Sequence, residues 1–287
     1  SIFKSSSTVF FVLNDPDKGI ETSVTFLNHF LIKRGIESVD AKIEVYDLSG
    51  ELKDRYKIQI TDRRVYSINP CKNIKKRFIG SIYVYFSCDE NLAVPFCAVV
   101  SSITANRSIC ACHTYGRVLE KQELGGNLDL DETVETGWTL RDASEVCSYA
   151  VMHNGRDKVN LEIRLEAMNS KNEVISKDFT RELNPFETLL IVTKEIMSNI
   201  NEHLDKEEGH GRIHIKGIKG IFPRMMCGNM ICNDYRNFSN IEQIQFTHTN
   251  YDFSIIDQPN SQGEKGYFNQ PYLPEGSGII YPINNDT

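Results

Sequence analysis

No stretch of this 287-residue sequence approaches the ~18–20 consecutive apolar residues of a membrane-spanning helix, which excludes a helical span. The apolar part of the N-terminal segment SIFKSSSTVFFVLNDPD is too short for a secretory signal. Positive charge is in deficit: 32 Lys and Arg against 39 Asp and Glu leave a net charge of −7. That argues against nucleic acid, whose phosphates are met by a basic face. Lys75, Lys76 and Arg77 form the one tight basic cluster, and three charges read as a solvated loop. The sequence also lacks the Gly-x-Ser-x-Gly elbow, the P-loop and the Gly-x-Gly-x-x-Gly turn. No second Cys-x-x-Cys completes a zinc set beside Cys110-x-Cys112, and the His210, His214 pair lacks the glutamate of HExxH. No cofactor or metal is therefore expected. Regular strand–helix alternation is missing too, which argues against a parallel α/β sheet.

What is present is strand alternation. Thr8–Leu13 is β-branched and aromatic, and Asn14-Asp15-Pro16-Asp17 ends it with turn chemistry. Ser23–Lys33 fits a strand or a short helix equally. Val39, Ala41, Ile43 and Val45 alternate with Asp40, Lys42 and Glu44, a half-buried strand. Ser49-Gly50 turns it, and Tyr56, Ile58 and Ile60 return as the hairpin partner. The pattern recurs 120 residues later, where Val159, Leu161, Ile163 and Leu165 alternate with Asn160, Glu162 and Arg164. Asn169–Asn172 then replaces the Ser-Gly turn, and Asp178–Leu183 returns.

A second anchor repeats as well. Gly80, Ile82 and Val84 lie 131 positions before Gly211, Ile213 and Ile215. Each set is followed by an apolar-flanked proline, Pro95 or Pro223, and then by His-Thr just before a tyrosine. An ordered series of matching anchors reads as a tandem duplication. The fold class expected is all-β: two Ig-like antiparallel β-sandwiches, with one short helix in the second copy, capped by Thr193 and burying Ile196, Ile200 and Leu204. A barrel is the structural alternative. The expected organisation is a first sandwich over 1–120, an acidic linker over 121–136 and a second sandwich over 137–253. The segment 254–287 is then an extended tail or the start of a truncated third module. The single tryptophan, Trp138, is placed in packing at the start of the second sandwich or across the boundary.

Eight cysteines sit mostly in or beside apolar strand-like runs, where a thiol behaves as a small hydrophobe. They are read as reduced, which points to a cytoplasmic rather than a secreted protein. Asn106-Arg-Ser108 and Asn237-Phe-Ser239 fit the glycosylation pattern and matter only in a secreted chain.

The duplication singles out His113, Tyr115, His248 and Tyr251 as candidate binding residues at equivalent strand ends, with a structural corner as the plainer account. His210 and His214 have helical metal-pair spacing, but their surroundings say strand, where the two do not converge. The acidic clusters Asp129, Asp131, Glu132 and Asp205, Glu207, Glu208 have loop composition and read as solvated surface. The function expected is non-catalytic: a binding or scaffolding protein whose ligand is a protein or a glycan. The alternative is a carbohydrate-active hydrolase, or an accessory module of one, with acids converging between the domains.

Overall fold

The structure is a computed structural model, and it describes residues 5–88, 98–105, 108–113, 116–118, 132–222, 225–232, 241–248 and 250–251. The first unit comprises β1 (Ser5–Asn14), β2 (Ile20–Leu27), the short helix α1 (His29–Arg34), β3 (Val39–Asp47), β4 (Leu52–Ile60), β5 (Val65–Ile68), β6 (Phe78–Ser87), β7 (Val99–Ala105) and β8 (Ser108–His113). The ambiguous stretch 23–33 is both things in turn, strand and then helix. Asn28 decides the switch, because its side chain accepts the Leu31 N–H at 3.2 Å and caps α1. Two-residue β9 (Arg117–Val118) leads to the second unit, which comprises β10 (Glu132–Leu140), β11 (Val146–His153), β12 (Val159–Met168), β13 (Val174–Leu183), β14 (Thr188–Val192), α2 (Thr193–Ile196), α3 (Ile200–Leu204), β15 (Gly209–Lys216), β16 (Ile221–Phe222), β17 (Met226–Cys232), β18 (Ile241–His248) and β19 (Asn250–Tyr251).

Both units have a large and a small antiparallel sheet packed face to face. The large sheets run β1-β6-β3-β4 and β10-β15-β12-β13, with β19 added beyond β10; the small ones run β5-β2-β7-β8 and β14-β11-β17-β18. Strand for strand the two orders correspond. They are not the order of an immunoglobulin constant domain, whose first strand pairs with its second.

The registers agree with both sequence offsets at once. Val45 faces Ile82 and Ile43 faces Val84; in the second unit Leu165 faces Ile213 and Ile163 faces Ile215. The repeated glycines have a steric cause. A Cβ on Gly80 would lie 2.0 Å from the Tyr46 carbonyl oxygen, and one on Gly211 would lie 2.7 Å from the Trp138 ring. Trp138 is 1% exposed in the core of the second unit, which fixes its place. A hydroxyl repeats too: Thr22 Oγ1 bonds both the N–H and the carbonyl of Leu13, and Ser148 Oγ accepts the Arg141 N–H.

Three expectations change. The stretch read as linker overlaps β10, in which Thr133, Glu135 and Thr136 are buried. The second unit's expected helix is two short ones, broken at extended Met197. Thr193 does not cap: it is the first residue of α2, after Val192 at the cap position, and its hydroxyl is turned to Asp142 at 2.6 Å and the Ser148 carbonyl at 3.0 Å. Pro95, Pro223 and the segment 254–287 lie outside the described residues. Among the described cysteines, Cys71, Cys88, Cys110, Cys112, Cys147 and Cys227 are free.

Replacing Gly211 by Ala should drive a methyl into the Trp138 ring and lower stability by about 1–3 kcal/mol, read by urea denaturation. An unchanged midpoint would mean that the ring moves aside freely.

Candidate functional site

The two units meet through faces that their own sandwiches leave outside. In β1, Phe10 and Val12 face the first core opposite Ile82 and Gly80, so Phe11 and Leu13 point the other way; both are 1% exposed. The second unit buries them. The outer face of its small sheet, with Tyr149, Val151, Val192, Met226 and Met230, joins the same apolar cluster. His153 adds a stacked contact to Phe11 at 6.5 Å.

Beside this lies an aromatic clasp. Phe186, from the β13–β14 loop, stacks on Tyr46 at 4.4 Å and meets Tyr83 edge-on at 5.3 Å. The Tyr83 hydroxyl donates to the Asn154 carbonyl at 2.6 Å. The Thr188 N–H donates to the Leu48 carbonyl, tying that loop to the β3–β4 turn.

The junction contains one buried carboxylate of the first large sheet, Glu44, at 3% exposure. It accepts from Tyr46 Oη at 2.9 Å and pairs with Arg55 at 2.9 Å and Lys42 at 3.2 Å. A carboxylate so saturated has little capacity left for proton transfer. Burial and Glu44 push the Tyr46 and Tyr85 phenols well up, so both stay protonated.

The small-sheet face that corresponds in the first unit is open. Its register sets Ser67, Thr25, Val100 and His113 in one row across four strands. Ser23, Ser102 and Ala111 form the next row, then Glu21, Thr104 and Ile109; Leu27 and Val65 pair on the other side. All twelve are exposed or half-buried. Among the described residues seven large apolar side chains are exposed, and Leu27 (45%), Val65 (62%), Val100 (36%) and Ile109 (68%) share this face. These four were missed by sequence reasoning. The signal was an apolar residue at an outward position of an otherwise alternating strand, as in Val99-Val100-Ser101.

Of the residues singled out in the sequence, His113 lies on this face and is exposed. The corner expected of it involves Tyr115, which lies outside the described residues. His248 holds the corresponding register position, opposite Met226 as His113 is opposite Val100. Met226 is buried at the junction, so the two positions have parted ways. Tyr251 pairs with Glu135 at the edge of the second large sheet, and Tyr115 lies outside the described residues. His210 and His214 are on a strand, about 13 Å apart by its rise. They have separate partners: Thr136 Oγ1 at 2.5 Å and Glu166 at 3.4 Å.

Asp205, Glu207 and Glu208 are exposed; Asp205 pairs with Lys171 and Glu208 with Arg141. Asp129 and Asp131 lie outside the described residues. The remaining polar cluster, in which Asp142, Ser148, Thr193 and Asn229 bond one another, is buried throughout and offers no access to a substrate. Among the described residues, no group of three or more His, Cys, Asp or Glu could hold a metal ion. None of the described helices is long and apolar enough to cross a membrane.

No protein-family model and no curated protein matches the chain. Solved structures similar to it include Bacteroides uniformis beta-glucuronidase, at 10% identity and a TM-score of 0.19, covering 87% of this chain and 26% of that one. A calcium-binding mutant of Bacteroides uniformis beta-glucuronidase 2 is similar at 9% identity and a TM-score of 0.18, covering 86% and 26%. A glycosyl hydrolase family 2 member from Bacteroides cellulosilyticus is similar at 8% identity and 0.17, covering 86% and 28%. The chain thus spans about a quarter of those chains. At these TM-scores the likeness carries no argument about the site, and the sandwich architecture rests on the sheets themselves.

One junction residue predicts a pH response. Burial holds the His153 imidazole down to about 3, and its Nδ1 lies 3.0 Å from Thr188 Oγ1. An unfolded chain protonates this ring below about 6.5, while the folded chain keeps it neutral. Its contribution is therefore complete above that pH and is lost on acidification, by about 1.4 kcal/mol per pH unit. Stability at pH 5 should fall about 2 kcal/mol further in the wild type than in His153→Gln, read by urea denaturation at pH 5 and 7. Equal losses in the two proteins would show that the ring does not stay neutral.

Proposed function

We propose that this chain is a non-catalytic binding or scaffolding protein, grown by tandem duplication of one β-sandwich unit, that docks a protein partner on the open small-sheet face of its first unit. One observation carries the reading. The same face of the second unit is already an interface, buried against a sheet, while the first unit leaves its own exposed with four large apolar side chains. Exposed apolar side chains gathered on one face support an interaction site there.

Protein is favoured over glycan by shape and chemistry. The face is a sheet surface of mostly aliphatic and hydroxyl residues, with no Trp, Tyr or Phe among its twelve side chains to stack on a sugar ring. Hydrolysis is disfavoured at the junction, where Glu44 is held by two cations and a phenol and so has little capacity left to act as acid or base. The free, mostly buried thiols fit the cytoplasmic assignment proposed with it.

In cells that make the protein, a photo-crosslinking amino acid at Ile109 should give adducts that the same group at Val174, exposed on β13, does not. The purified chain should bind no member of a mixed glycan panel and cleave no chromogenic glycoside. Saturable glycan binding, or turnover, would replace this reading; equal labelling from both positions would remove the face from it.

A further inference from the structure

We propose that the open face of the first small sheet packs against the same face of a second copy of this chain, closing a two-fold symmetric dimer. The proposal rests on that face being a docking surface and names its occupant.

Among the described residues, the sheet faces a second copy can offer are few. The outer face of its first large sheet, which covers the corresponding small sheet within the chain, is already taken by its own second unit. The outer face of its second large sheet is charged. There Glu162 sits opposite Lys216, Arg164 opposite His214 and Glu166 opposite Arg212, with Arg164 and Glu166 paired at 3.1 Å. Docking that face on Ser, Thr, Val and Ile would strip water from these charges and give nothing back. Head-to-tail addition, which would run on into a filament, is therefore opposed.

Of the described sheet faces, the open face itself is the match. It carries no Lys or Arg, and its single carboxylate, Glu21, stands in an outer row and accepts from Asn69 Nδ2 at 2.5 Å. Two such faces meet without opposing like charges, which is what a self-complementary two-fold contact requires. Sheet-on-sheet packing at about 10 Å then buries the four exposed apolar side chains of each copy.

Size sets the strength. Twelve side chains from each copy fall below the ~20–30 residues a side of a stable interface, so the dimer is a weak, reversible one. The covered face of the second unit, built from Tyr149, Val151, Met226 and Met230, shows how a permanent contact is composed by comparison.

Sedimentation equilibrium of the purified chain tests this. The wild type should pass from monomer to dimer as concentration rises to about 0.5 mM. Val100→Lys sets two ammonium groups against each other near the middle of the contact and should weaken the dimer about tenfold or more, with the melting temperature unchanged because the site is exposed. Val174→Lys should leave the dimer intact. A wild type that stays monomeric throughout, or a dimer indifferent to Val100→Lys, overturns the proposal. Monomer combined with adducts of a different protein from Ile109 would sink the dimer and keep the binding face; monomer without site-specific adducts would sink both.

Discussion

The rest of the structure depends on the double burial of β1 and β6. Thr8–Leu13 is apolar on both faces, and Phe10 and Phe11, pointing opposite ways, are both essentially unexposed. One sandwich partner can cover only one side of such a sheet. The other side, with Phe11, Leu13 and Tyr83, would expose aromatic and aliphatic surface unless a second layer lay on it, and each side chain of that size gains about 1.5–3 kcal/mol from burial. The second unit is that layer. It also holds Phe186 at φ 62, a conformation unfavourable for a bulky residue, through its N–H bond to the Gly155 carbonyl and its stack on Tyr46. The two units therefore share one buried apolar cluster, although each has its own pair of sheets.

Equal topology has been given unequal surfaces. At one register position of the small sheets the first unit has Ser23 and the second Tyr149; at another, Thr25 answers to Val151. The large sheets diverge the other way, with Phe11 and Tyr83 outward in the first and Arg212 and His214 in the second. Function on a repeated fold lives in such differences, since the backbone is shared. Here the asymmetry uses up one apolar large-sheet face and one apolar small-sheet face internally, makes the terminal large-sheet face charged, and leaves a neutral small-sheet face open.

Much of this was legible in the residues. Period-two alternation gave β3, β4, β12 and β13, because strands with one wet face must alternate. The offsets of 120 and 131 gave the correspondence of strands, and the two glycines marked close approaches later seen at Tyr46 and Trp138. β1 and β11 also lack alternation, and strands buried on both faces read as such continuous apolar runs, so each needs cover on a second side.

By itself, then, the sequence determined the local facts: that the alternating segments are strands, where they turn, and that one ordered series of anchors occurs twice. Each depends on neighbours within a few residues or on self-comparison. Only the tertiary structure decided that Glu132–Thr136 is strand rather than linker, because Thr133 and Glu135 owe their place to pairing with Ile215 and Ile213, far along the chain. It also decided which face of each sheet meets the other unit. His113 and His248 look alike in sequence and share a register position, yet one pairs with exposed Val100 and the other with buried Met226. Alternation tells a residue which side it faces; what waits on that side is set by how whole sheets stack, and no local pattern encodes it.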